Sequence, residues 1–207
     1  MRRHPLLLIA GFCLLPLALA GCSAGTPTRF YVLSEMPDAP AATHTAQGPA
    51  IGVGPITLPK YLDRPQMVSH VNANSLAQAD TDQWGGDLED NITRVLAANL
   101  SKLLGTDRVS LYPWKDRAPV DYQVALDVAR FEQDVDGSIV LDVFWSVANP
   151  TDGSPMQMRH SVYRDDGAKA TFGSAGGAHF EAVAAAMSRD LESLSRDIAK
   201  AIGAAKA

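Results

Sequence analysis

Cysteines, cationic residues and long apolar runs are all scarce in this 207-residue chain. Each shortage removes a class of protein. Two cysteines are too few for a disulfide scaffold. Lysine and arginine total 18 against 23 aspartates and glutamates, a formal charge of −5, so the cationic excess that neutralises nucleic-acid phosphates is missing. The longest apolar stretch falls short of the ~20 residues that cross a bilayer, which excludes a polytopic membrane protein. With 46% hydrophobic and 20% charged residues, the chain is neither collagenous nor wholly disordered. Signatures of catalysis are absent too: there is no G-x-S-x-G, no H-E-x-x-H, no Walker loop and no Cys/His metal spacing. The sequence thus predicts no enzyme, no cofactor and no metal site.

What is present divides at Cys22. Arg2 and Arg3 precede an apolar run from Leu6 to Leu15, and none of the first 21 residues is acidic. This order is that of a secretory signal. It ends in Leu19-Ala20-Gly21-Cys22, which looks like a bacterial lipobox: an aliphatic residue, two small residues and the cysteine that is acylated, palmitate among its chains. Residues 1–21 are read as signal peptide and 22–29 as a lipidated tether, leaving a single domain over 30–207. Removing Arg2 and Arg3 takes the formal charge of the mature chain from −5 to −7. Cys13 leaves with the signal and Cys22 carries lipid, so no disulfide can form and the core must hold the fold. Several acyl chains make a stable anchor where one alone is marginal. Ser23 after the cysteine, by analogy with known sorting, points to the periplasmic face of the outer membrane.

The mature sequence alternates between two periodicities. Phe30 to Leu33, Ile51 to Leu58, Gln66 to Val71 and Arg108 to Tyr112 read as strands, and the Pro- and Ala-rich segment 34–49 as a mobile loop. From Asp87 to Leu104, Leu88, Ile92, Val95, Leu96, Leu100, Leu103 and Leu104 draw one helical stripe, with Asp87 placed to cap it and Gly105 to stop it. Tyr122 to Val147 alternates with period two across Asp136-Gly137, a hairpin signal, and Met156 to Arg164 completes an antiparallel meander. Phe180, Ala184, Met187, Leu191, Leu194, Ile198 and Ala201 form a heptad seam on a last helix over about 177–202. That seam covers the sheet or pairs with another subunit. The predicted fold is α+β: an antiparallel or mixed sheet covered by two amphipathic helices as a two-layer sandwich.

Few side chains suggest a site. His44, His70, His160 and His179 are isolated in sequence and are read as surface or strand residues. Gly173, Gly176 and Gly177 precede a helix without a P-loop pattern and are read as a connector. Asp80, Asp82, Asp87, Glu89 and Asp90 lack calcium-loop spacing and are read as a solvated helix start. The unusual segment is Leu58-Pro59-Lys60-Tyr61-Leu62-Asp63-Arg64-Pro65-Gln66, where two prolines fix the backbone around an apolar and a charged pair.

With this segment, the lipobox, Tyr31-Val32-Leu33, Gly52-Val53-Gly54-Pro55, and Trp84 ahead of Val95 to Leu100, the chain resembles the PqiC-type auxiliary lipoproteins of ABC-type and MCE-type transport systems. Gly85-Gly86-Asp87-Leu88 departs from the Glu-Pro-Leu-like start usual after the tryptophan. The resemblance implies an outer-membrane lipoprotein that docks a periplasmic MCE conduit in lipid transport and supports membrane integrity. It also implies an MCE-domain protein and a membrane permease as partners, and possible homo-oligomeric rings. Tyr61, Leu62, Arg64 and Trp84 are the expected contact residues, with a core position as the alternative for Trp84. A non-catalytic module binding peptidoglycan or an outer-membrane assembly partner is the other function open at this stage, and an exported hydrolase the enzyme alternative.

Overall fold

A computed structural model describes residues 26–37, 48–114, 119–150, 157–172 and 177–205. The predicted signal peptide, Cys22 with the first part of the tether, residues 38–47, His44, Gly173 and Gly176 lie outside them. The ends of the segment predicted as a loop are held. Ser34 N donates to Ser188 Oγ (3.0 Å), and Met36 N to Asn99 Oδ1 (2.8 Å), with Met36 itself buried.

Among the described residues, eight strands and two helices follow in the order β1 (Arg29–Tyr31), β2 (Ile51–Thr57), β3 (Gln66–Asn72), β4 (Ser75–Trp84), α1 (Leu88–Leu104), β5 (Val109–Leu111), β6 (Tyr122–Gln133), β7 (Ile139–Ala148), β8 (Gln157–Asp165) and α2 (Gly177–Ala205). A single 3₁₀ turn, Lys169–Thr171, precedes α2. The class is α+β, as predicted, and the sheet is mixed. β6, β7 and β8 form the expected antiparallel meander, with Leu126 opposite Trp145 and Leu141 opposite Tyr163. Asp134 N donates to Ser138 O at 2.8 Å across the turn, where Gly137 takes φ +84°.

The long strand β6 organises the rest, because two neighbours share its other edge. Its first half takes β2 in parallel, with Val53 opposite Val124, and β5 lies beyond β2. Its last residue, Gln133, meets Ser69 of β3, which pairs with β4, and β4 carries β1 at the outer edge. A register shift between Val128 and Arg130 bends β6 between these two partners, so the sheet curls. β2 is a central strand, between β6 and β5, and it is buried from Ile51 to Gly54. Gly52 and Gly54 explain themselves by contact. A Cβ on Gly52 would lie 2.7 Å from Trp114 Cζ2, and one on Gly54, whose φ is +117°, 2.5 Å from Tyr112 Cβ. Gly54→Ala is expected to destabilise the fold by about 2 kcal/mol through backbone strain and displacement of Tyr112; urea unfolding with an unchanged midpoint would refute this.

α1 ends as its sequence implies, on Gly105 in the left-handed conformation with its amide donating to Ser101 O. Its start differs. Asp87 occupies the cap position without a side-chain cap bond, and the Asp87 carbonyl instead accepts from both Asn91 N and Asn91 Nδ2, each at 3.0 Å. On α2 the heptad seam is consumed inside the chain: Met187, Leu191, Leu194 and Ile198 are fully buried, with Ile202 beside them, in the core shared with Ile92, Leu96, Leu100, Ile139 and Leu141, and Phe180 and Ala201 at its ends are half-buried against that core. Asn99 Nδ2 donates to Ser195 Oγ at 3.1 Å where the helices meet. The covering of the chain's own sheet, rather than subunit pairing, accounts for the seam.

β4 is an element the sequence reading missed, and two readings change with it. Asp80 and Asp82 belong to this strand and not to a helix start. Asp82 is buried, with Arg29 donating to both of its oxygens (2.7 and 2.8 Å) and Tyr31 Oη to one (2.7 Å). These hydrogen bonds from Arg29 hold the Asp82 carboxyl below its usual range against the effect of burial. The pair clamps β1 to the sheet edge. His179 is likewise buried, beside Thr171 Oγ1 (3.2 Å), and that burial lowers its pKa.

Candidate functional site

After β2 the chain turns through the proline-bracketed segment before entering β3. Leu62 N donates to Pro59 O (2.9 Å), Arg64 N to Leu62 O (2.9 Å), and Trp84 N of β4 to Pro65 O (2.7 Å). Fixed φ at Pro59 and Pro65 confines the turn between them. It runs close to the first turn of α1, and the two enclose a cleft of about 470 Å³. Ile56, Leu58, Leu62 and Leu88 give it an apolar floor; Lys60, Asp63, Arg64, Asp87, Glu89 and Asp90 give it a charged rim. Burial, then the charges of Asp90, Asp63 and Asp87, raise the pKa of the Glu89 carboxyl. Lys60 and Asp63 are exposed, 4.0 Å apart, while Arg64 Nε is buried without a hydrogen-bond partner.

The four residues expected at the contact surface do not share one environment. Leu62 and Arg64 line the cleft. Leu62 is only 3% exposed and Trp84 5%, so both belong to the core, and Leu62 reaches the cleft only as part of its floor. Trp84 sits opposite Tyr31 beneath β1, the core alternative weighed for it. Tyr61 leaves the cleft altogether, because its hydroxyl donates to Glu132 Oε2 at 2.8 Å.

Glu132 is the functional side chain that sequence reasoning missed. It lies on β6, 1% exposed, and gathers three elements: Arg130 Nε at 2.9 Å, His70 Nε2 at 3.2 Å from β3, and the Tyr61 hydroxyl. Phe131 N also donates to it at 3.0 Å. Burial first, then the adjacent carboxylate, hold the Tyr61 phenol well above its ordinary pKa, so it remains an O–H donor. The Glu132 hydrogen bond raises the Arg130 pKa in spite of burial, which opposes it. With both oxygens occupied by donors, this carboxylate positions the proline-bracketed turn and has no lone pair directed at a substrate. The available signal was a pair of charges at i and i+2, Arg130 and Glu132, inside an alternating strand.

Elsewhere Arg164 and Lys169 gather Asp134, Asp136 and Asp166 into a partly exposed ion-pair network in which each charge has a partner. His160 stacks on Phe144 (centroids 4.5 Å apart) and meets Asp142 Oδ1 at 2.6 Å on the outer face of the meander. Among the described residues, no group of three or more His, Cys, Asp or Glu side chains is arranged to hold a metal ion. No helix among them is long and apolar enough to cross a membrane. The arrangement offers shape and charge for contact with a partner.

Comparison with known proteins places these features in a family. The sequence pattern of the family described as "ABC-type transport auxiliary lipoprotein component" matches residues 31–199. No curated protein matches the chain. Among solved structures, one described as an uncharacterized protein superimposes with a TM-score of 0.66 at 16% identity, covering 86% of this chain and 99% of its own. Protein XCC0632 from Xanthomonas campestris, of family DUF330, gives 0.60 at 15% identity over 83% of this chain and 93% of its own. At these identities the likeness concerns the fold. A PelC dodecamer from Paraburkholderia phytofirmans reaches only 0.36 at 15% identity, over 71% and 90% of the two chains, too low a likeness to carry an argument about assembly.

Proposed function

The chain belongs to the family of ABC-type transport auxiliary lipoprotein components, and from that premise we propose that it is the outer-membrane-anchored subunit of an MCE/ABC-type intermembrane lipid transport system. In this reading acylated Cys22 holds the domain on the periplasmic face, the domain receives the far end of the MCE conduit, and a membrane permease completes the system. It acts by binding, without catalysis, and supports membrane integrity through the transport it enables. The family match over 31–199 carries the proposal. The mixed-charge cleft beside the proline-bracketed turn supplies a contact surface, at which Arg64 is kept from the expected contact residues and Lys60 and Asp63 join it. A ring of copies, if formed, would use surfaces other than the α2 seam, which is already buried.

The test is in-cell photocrosslinking from position 60 of the full-length lipidated chain. The expected product is an adduct with an MCE-domain protein, lost at least tenfold in a combined Asp63→Lys, Arg64→Glu variant that keeps the parent's thermal midpoint. Undiminished capture by that variant would overturn the cleft assignment. Recovery of sacculi with no MCE adduct would replace the transport reading with the peptidoglycan one.

A further inference from the structure

We propose that Phe30 and Val32 form the spot at which the folded domain rests on the lipid surface that anchors it. This rests on the reading of Cys22 as the acylated residue. β1 alternates strictly: Arg29 and Tyr31 turn inward to Asp82, which leaves Phe30 on the outer face at 66% exposure, with Val32 beyond it at 57%. Two positions apart on an extended backbone, the two side chains share one face and make an apolar pair rather than isolated exposed residues.

Their surroundings suit a lipid interface. Phe30 is registered with Gln83, and Gln83 with Gln66, so the outer face beside it is polar and uncharged. Gly85 lies beneath the pair; a Cβ there would come within 3.1 Å of Val32 Cγ1 and 3.9 Å of Phe30 Cβ. The departure from the family pattern at Gly85 therefore leaves room for Val32, with Phe30 in ordinary contact range. The mature chain carries −7 and is repelled by anionic lipid, and a neutral apolar spot is where it can approach. The Arg29–Asp82 clamp, bidentate at 2.7 and 2.8 Å, keeps β1 from swinging the pair inward.

The covalent tether selects lipid over other occupants. From Cys22 to Phe30 is eight residues, which reach about 28 Å at full extension. Acylation thus keeps the bilayer within reach of this pair at all times, at an effective concentration no soluble partner matches. Val162, 53% exposed on β8, which pairs with β7 away from the strand path that carries β1, is an apolar residue of similar exposure and serves as the internal control.

The experiment uses the full lipidated chain in vesicles of phosphatidylethanolamine and phosphatidylglycerol at a ratio of about 3:1. With Cys22 acylated, Phe30→Cys, Val32→Cys or Val162→Cys provides a single thiol for a polarity-sensitive fluorophore, and brominated lipids serve as quenchers. Quenching at 30 and 32 is expected to exceed that at 162 at least threefold. A label at Thr28→Cys should lose quenching to a similar degree when Phe30→Ser and Val32→Ser are combined. Mass spectrometry of Cys22 separates the failures. Acylated protein with equal quenching at all positions overturns this inference alone, whereas protein without acyl chains overturns the anchoring reading and this inference with it. A blue-shifted label at 30 that crosslinks to a second copy and is not quenched by lipid also overturns it, in favour of a subunit contact.

Discussion

Glu132→Ala is expected to destabilise the fold by about 3 kcal/mol, because truncating the buried hub of a charge cluster takes the acceptor from several partly desolvated donors at once and leaves Arg130 only its 3.5 Å pair with Asp134. Arg130 would lose its 2.9 Å acceptor, Tyr61 its 2.8 Å acceptor and His70 its 3.2 Å neighbour in one step. For a domain of this size that corresponds to a fall in Tm of roughly 6–12 °C. Glu132→Gln keeps the shape and one acceptor oxygen but no longer balances Arg130, so a smaller loss is expected. Tyr61→Phe removes one hydrogen bond and should be destabilising by about 1 kcal/mol. Coupling between the last two changes in a double-mutant cycle is the sharper reading, since each acts through the same bond. Independent, additive effects, or a Glu132→Ala protein melting with the parent, would show that the cluster does not hold the proline-bracketed turn. The expected consequence for binding is indirect: the turn loosens, and the cleft it shares with the start of α1 loses its shape.

The second large effect concerns pH. Asp190 on α2 is buried, its Oδ2 has no hydrogen-bond partner, and burial, followed by the charge of Asp165, pushes its pKa up to about 7, with Arg189 opposing. In the unfolded chain the same carboxyl releases its proton near 3.8. Between these values the folded state holds more protons than the unfolded one, so stability from this group is full below about 4, falls as pH rises toward 7, and is lost above. The difference is on the order of 4 kcal/mol. Asp82, Asp134 and Asp165 act in the opposite sense: their lowered pKa values contribute stability present above about 4 and lost in stronger acid. Greatest stability is therefore expected between about pH 4 and 6. Asp190→Asn should raise the urea midpoint at pH 8 and leave it nearly unchanged at pH 5, flattening the profile between. A variant equally affected at both pH values would show that Asp190 is not ionised at a structural cost.

How far each element was legible depended on whether its cause was local. The α1 stripe, the Gly105 stop and the Asp136-Gly137 hairpin are readable because period, cap and turn chemistry act within a few residues. β4 was illegible because its partly buried positions, Ala77, Ala79 and Thr81, are small or polar, so its alternation carries little hydrophobic contrast. The cleft was half legible. The proline-bracketed segment stands out in sequence, but its partner in space, the Asp87 to Asp90 turn, lies more than twenty residues on and reads in isolation as a solvated helix start. Leu62 and Trp84 looked like contact residues because a motif marks importance without saying which side of the backbone faces solvent.

By itself, then, the sequence determined the α+β class, the family and the helix and hairpin boundaries, since hydrophobic period and turn residues are properties of neighbours along the chain. Only the tertiary structure decided which motif side chains are buried, where β6 divides its edge between β2 and β3, that the α2 seam is spent on the chain's own core, and that a single carboxylate at Glu132 ties Tyr61 to two strands. Those outcomes depend on groups tens of residues apart meeting in a low-dielectric interior, where an unpaired charge or an unfilled apolar face is too costly to persist.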